Sequence, residues 1–207
     1  MTFDIRVAVL RGQTVTLRPL AADDAPALAT AASESRREFG YIGVPDGVEE
    51  ARRYIETALA DREAGRRLPF AILWHDRVVG STSYLDLQRW RWPAGSPLQR
   101  TDDPDAVEIG STWLAASAQR TRCNTEAKYH LLSHAFDVWR VYRVALKTDE
   151  RNAVSRRAIE RLGATFEGIR RADMPAPDGS VRNSAYYSIL RAEWSDVRKK
   201  LEDALAR

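Results

Sequence analysis

Very little in this chain is suited to crosslinks, metals or membranes. A single cysteine, Cys123, stands among 207 residues, so no intrachain disulfide can form and a reducing, cytoplasmic setting is expected. The three histidines, His75, His130 and His134, share no metal-ligand spacing with it. His130 and His134 stand one helical turn apart, but the stretch between them lacks the glutamate of a zinc-peptidase helix, so no metal is expected. No apolar run approaches the roughly 18 residues of a membrane span. Met1 to Leu10 mixes Asp4 and Arg6 into its apolar residues and has no signal-peptide core. Lys and Arg number 32 against 29 Asp and Glu. That excess slightly favours an anionic ligand, and with no basic stripe interleaved with aromatics it does not point to nucleic acid.

What is present is enough apolar content, 44%, for one core and a single domain over residues 1–207. Thr14 to Arg18 alternates and stops at Pro19, as a first strand does. Asp23 and Asp24 then open an alanine-rich helix with Pro26 in its first turn. A second helix runs from Val48 to about Ala64 and closes at Gly65. Phe70–Trp74 and Val78–Leu87 read as a hairpin around His75-Asp76-Arg77. The irregular segment Gln88–Asp105, with Trp90 and Trp92, is too long for a simple turn. It reads either as a surface flap or partner contact, or as a loop folded back on the core.

The stretch from Glu108 to Gly163 is the most informative. Val107–Leu114 is a strand, and Gln119 to Thr125 forms a basic loop running into an amphipathic helix. On that helix Ala127, Leu131 and Ala135 share a stripe. A helix starting after such a loop offers unpaired N–H groups and a positive dipole end, a ready anion site; the plainer reading is a helix with polar first residues. Tyr142–Lys147 is a further strand, and Asn152–Leu162 a helix stopped by Gly163. Strands near Ala164–Arg171 and Arg182–Leu190 flank the turn Pro177-Asp178-Gly179, and an amphipathic tail starts at Glu193. The order β-α-α-β-β-β-α-β-α-β-β indicates a mixed α/β sheet.

Glu108-Ile109-Gly110, Trp113-Leu114, the Gln-x-x-Arg-x-Asn loop and Asn152-x-x-Ser155 together resemble the GNAT superfamily of acyl-CoA-dependent N-acyltransferases, and within it the RimJ/RimL type. Asp149-Glu150-Arg151-Asn152 and Leu162-Gly163-Ala164-x-x-Glu167-Gly168 are further fragments of that likeness. It covers about residues 12–194 and leaves 193–207 as a helical tail. It implies an α/β (α+β) fold with a mostly antiparallel sheet split in a V. Acetyl-CoA would be the acyl donor, its pantetheine arm lying in the split and pairing with backbone near Trp113 and Leu114. Gln119, Arg120, Thr121, Arg122, Cys123, Asn124 and Thr125 would wrap the pyrophosphate, and Asn152 would reach the arm. The acceptor would be an amine, on a protein N-terminus or a small molecule, and a homodimer is common in the family.

Under that resemblance Glu108 is the general base. An amine must be neutral to attack a thioester, and a carboxylate in a cleft can take its proton. The other reading of Glu108 is an ion pair with an arginine such as Arg143. Two positions depart from the family pattern. Arg122 replaces the first loop glycine and Asn124 the last, so either Arg122 stays right-handed or cofactor affinity falls; its guanidinium could also meet a phosphate. The tyrosine that many members carry seven residues after the Asn is Ile159 here, which leaves Ser155 as the candidate acid or simply as a helix-end residue. Cys123 reads as packing rather than nucleophile. These departures also support a rival, a CoA-binding protein without turnover.

Overall fold

In the computed structural model, which describes residues 9–99 and 103–206, one eight-stranded sheet carries five helices. The elements are β1 (Leu10–Arg11), β2 (Val15–Pro19), α1 (Ala25–Ser33), α2 (Gly47–Glu63), β3 (Arg67–Trp74), β4 (Arg77–Gln88), β5 (Ala106–Leu114), α3 (Cys123–Ser133), β6 (Arg143–Asp149), α4 (Ala153–Arg161), β7 (Thr165–Pro175), β8 (Val181–Leu190) and α5 (Trp194–Leu205). The strand order is β1-β2-β3-β4-β5-β6-β8-β7, and only β5 and β6 pair in parallel. The expected mixed, mostly antiparallel sheet is therefore present. Pattern reading did not supply β1, or the crossover that puts β8 between β6 and β7. At two residues β1 is too short to show a pattern, and the placing of β8 depends on partners as far apart in the chain as Arg143 and Leu190.

Alternation along β4 divides the molecule into two layers. Ser81 and Ser83 lie on the α2 side, where Tyr54 of α2 donates to Ser81 and Arg67 of β3 donates to Ser83. Thr82 and Tyr84 face α3, and the Tyr84 hydroxyl donates to the Leu131 carbonyl at 2.5 Å. Ala51, Ile55 and Ala58 make a narrow buried stripe on α2, spaced as one helix face requires. On α3 the stripe is Ala127 and Leu131, and Ala135 extends it into the π-helical turn His134–Val138. The Glu126 carboxylate ties the start of α3 to β2, accepting from the Thr14 N–H at 2.9 Å and the Thr14 hydroxyl at 2.5 Å.

The β3–β4 hairpin turns on His75 and Asp76, both left-handed at φ 47° and 60°, as a two-residue hairpin with mirror-image turn geometry demands. Gly163 ends α4 at φ +95°, where any side chain would be strained. The described part of the irregular segment folds back. Trp90 stacks on Tyr142 at 5.5 Å between ring centroids, and the Trp92 indole donates to Asp105. No helix among the described residues is long and apolar enough to cross a membrane.

Candidate active site

The sheet opens between β5 and β6. Their parallel pairing covers Ala106↔Arg143, Val107↔Val144 and Glu108↔Ala145, and no further. From Leu146 to Asp149, β6 pairs with β8 alone. A bulge in β5 accompanies the separation: the register with β4 steps from Ser83↔Gly110 to Ser81↔Trp113, and Ser111 takes φ 48°. Two residues opposite one bend a strand and raise its twist, so β5 follows β4 away from β6. Beyond the bulge, the Ala115 N–H bonds to Val79 on β4 at 2.7 Å. A Cβ on Gly80 would lie 2.1 Å from the Trp113 carbonyl oxygen, so Trp113 also turns its backbone toward β4. By alternation the Leu114 N–H faces the gap. The Leu114 carbonyl accepts from the Gln119 side chain at 2.9 Å.

Glu108 is the last paired residue before the gap and is 7% exposed. Its carboxylate lies over Gly110, where an added Cβ would come within 2.8 Å of Glu108 Oε1. Glycine there is what leaves room for the carboxylate. The ion-pair partner is not Arg143, which pairs with Glu167. It is Lys147, whose Nζ stands 3.3 Å from Glu108 Oε2. Lys147 is two residues past the Ala145 partner of Glu108, so it returns to the same face of the sheet. Burial pushes the Glu108 carboxyl above its ordinary range, and the Lys147 ammonium opposes but does not cancel that shift.

In the loop, the left-handed residue is Arg120, at φ 58°. Arg122, the glycine replacement, is right-handed at φ −70° and caps α3 with its backbone. Its guanidinium donates to the Leu205 carbonyl at 2.8 Å, at the end of α5, so it is directed away from the first turn of α3. Thr121 Oγ1 accepts from the Cys123 N–H at 3.1 Å. The next two amides, of Asn124 and Thr125, precede the first helical acceptor and have no partner among the described residues. The exposed Arg120 side chain is likewise unpaired among them. Cys123 is buried, and burial pushes its thiol up to about 12. This is the geometry of an anion cradle built from backbone.

Across the gap, Asp149 holds the turn into α4 by a two-point pair with Arg151, at 2.9 and 2.7 Å. Asn152 then caps α4, its Oδ1 accepting from the Ser155 N–H at 2.9 Å. The Ser155 hydroxyl has no partner among the described residues. Ile159 is buried.

Three residues near this site carry chemistry that pattern reading passed over. Lys147 was legible only as part of a strand. Lys128, on α3, is buried and bonds to Thr112 and Thr82 at 2.5 and 3.2 Å, and burial pulls its pKa down to about 7. Arg67, at the start of β3, is 8% exposed and lies on the Glu108 face of the sheet. Nothing local in the sequence marks the latter two.

The profile of the Acetyltransferase (GNAT) domain matches residues 14–165. No curated protein matches the chain. Among solved structures, a T. thermophilus protein provisionally described as an acetyltransferase is 33% identical. The match covers 97% of this chain and 98% of that one, with a TM-score of 0.80. Mycobacterium smegmatis RimJ in complex with CoA-disulfide shares the fold at 21% identity, with 92% and 88% of the two chains covered and a TM-score of 0.74. A RimL, the ribosomal L7/L12 α-N-protein acetyltransferase in complex with coenzyme A, does so at 18% identity, with 88% and 98% covered and a TM-score of 0.68.

Proposed function

The chain belongs to the GNAT acetyltransferase family, and from that premise we propose that it moves an acetyl group from acetyl-CoA to a primary amine at the opening between β5 and β6. The observation that carries the reading is the position of Glu108, a buried carboxylate at the point where the two strands part. The donor's pantetheine lies in the opening and bonds to the Leu114 N–H. Its pyrophosphate meets the free amides of Asn124 and Thr125, at the positive end of α3. Residues Gln119 to Cys123 shape that cradle, and Arg120 adds charge at its mouth. Arg122 contributes backbone, since its side chain is engaged at Leu205. Trp113 contributes by holding β5 against β4.

The amine binds on the Glu108 side and gives up its proton to that carboxylate, directly or through water. Its nitrogen attacks the thioester carbonyl, and a backbone N–H of β5 stabilises the tetrahedral oxyanion. As the C–S bond breaks, the nitrogen gives its second proton to water, and the thiolate takes one from water, directly or relayed through the unengaged Ser155 hydroxyl, leaving the amide and free CoA. Asn152 fixes the start of α4 beside the arm. Asn124 and Thr125 N–H groups need no glycine at Arg122, because that residue is right-handed.

The RimL neighbour, an α-N-protein acetyltransferase, makes an α-amine the natural acceptor class to test first. The cytoplasmic setting is supported by the single cysteine, and a homodimer is the state to test alongside it. The Lys147 ion pair favours a second reading, in which Glu108 only fastens β5 to β6 and water removes the proton. Thiol release from acetyl-CoA with a panel of amines and N-terminal peptides distinguishes them. Turnover that collapses in Glu108→Gln supports the base. Turnover that survives assigns Glu108 to structure. CoA binding with no turnover on any amine would favour a non-catalytic CoA-binding role.

A further inference from the structure

Arg67 is a buried cation without an anion. It is 8% exposed, and all of its partners are neutral. Its Nε donates to Ser83 Oγ at 2.7 Å, one terminal nitrogen donates to the Tyr54 hydroxyl at 3.0 Å, and the guanidinium lies over the Tyr54 ring at 5.3 Å. The Tyr54 hydroxyl passes its proton to Ser81, and Ser81 passes its own to the Phe70 carbonyl, so the chain of donors is used up inward. The remaining terminal nitrogen, Nη1, bonds to no described residue, and no described carboxylate pairs with Arg67. A guanidinium stays charged at any relevant pH, so burying it among hydroxyls is costly unless a further anion completes the set.

Its position gives this cation a meaning. Arg67 pairs in register with Leu85, and Leu85 with Glu108, so the three share one row and one face of the sheet. Arg67 reaches along to Ser83, whose partner on β5 is Gly110, the residue over which the Glu108 carboxylate lies. The guanidinium and the carboxylate thus stand over neighbouring strands, about 5 Å apart at the backbone, and make no ion pair with each other. On the same face, the Trp113 indole N–H is buried, packs on Phe39 and has no acceptor among the described residues. Here the face offers donors from Arg67 and Trp113, with the Glu108 carboxylate beside them.

We propose that Arg67 binds a carboxylate on the acceptor, so that the substrate is an amine bearing a carboxylate a few bonds from its nitrogen. The inference rests on the acyl-transfer reading and deepens it. Arg67 takes the negative end, Glu108 takes the amine, and the Trp113 N–H offers the carboxylate a second donor. Tyr54 and Ser83 hold the guanidinium in place. The same chemistry is supplied by a free α-amino acid or by a peptide with an acidic first residue, and the test separates the two.

Thiol release from acetyl-CoA is measured for matched pairs: free α-amino acids against their α-amides, and peptides starting with Asp against those starting with Asn. In at least one arm the carboxylate member is expected to lead by tenfold or more in kcat/KM, mainly through KM, and Arg67→Gln is expected to bring that ratio to near one. Arg67→Lys should retain part of it. Ratios within twofold in both arms of the wild type overturn the proposal without needing any variant, as does a preference that survives in Arg67→Gln. Turnover without a carboxylate preference removes only the Arg67 assignment. No turnover with any amine removes the acyl-transfer reading along with it.

Discussion

The two sides of β5 are built on different principles. Toward β6 and α3 the site is made of backbone: a bulge at Ser111, the Leu114 N–H facing a gap, and amides of Asn124 and Thr125 left over at a helix start. Toward α1 and α2 it is made of side chains drawn from four elements: Tyr54, Arg67, Ser83 and Glu108. A backbone site tolerates substitution as long as the main chain keeps its path. Arg122 shows this, standing where a glycine is usual yet right-handed and turned toward Leu205. A side-chain site does not tolerate it, because substitution removes the functional atoms themselves.

That contrast can be tested by substitution. Glu108→Gln, on the side-chain face, should cut turnover by about 10²–10⁴-fold while leaving the acetyl-CoA affinity measured by calorimetry within about twofold. A matching loss of affinity would mean that the two sides are not separable. Lys128→Met comes next, in stability. Lys128 titrates near 7 in the folded protein and near 10.4 unfolded, so between those values the unfolded chain holds the extra proton and stability rises with pH. Below the folded value the burial cost is fully present. The variant should therefore unfold at higher denaturant near pH 7, by roughly 2–4 kcal/mol, and should lose part of the rise toward pH 10. An unaltered pH dependence of chemical unfolding would contradict this.

Smaller effects follow on the backbone side. Asn152→Ala removes the cap on the Ser155 N–H and should cost about 1 kcal/mol, seen as a lowered thermal midpoint. A larger loss of acetyl-CoA affinity than of stability would add a direct contact with the arm. Arg120→Gly relieves a left-handed non-glycine residue and should be neutral or stabilising by up to ~1 kcal/mol. Destabilisation of that size would show that the Arg120 side chain holds the loop.

The backbone side was largely legible before the fold was known, because helix starts, caps and strand ends are written in consecutive residues. Asn152 as a cap and Gly163 as a stop are examples, and the buried stripe of α3 followed from its spacing alone. Even there, the left-handed turn at Arg120 was not legible, since it depends on how the loop leaves Leu114. The other side was almost illegible. Arg67 and Glu108 are 41 residues apart and share a row only through two registers of a sheet. Glu108 could be picked out as a candidate base, but its partner Lys147 could not be chosen over Arg143 without knowing which strands separate. The placing of β8 between β6 and β7 was hidden for the same reason.

That Glu108, at the mouth of the opening, takes the proton from the acceptor amine is tested most directly by kcat/KM for thiol release as a function of pH, in the wild type and in Glu108→Gln. Burial holds the Glu108 carboxyl above its ordinary range, so wild-type activity should fall on the acid side at a pH above that of a free glutamate, along a limb absent from Glu108→Gln. The same limb in both proteins, or rates within twofold of each other, would contradict that role.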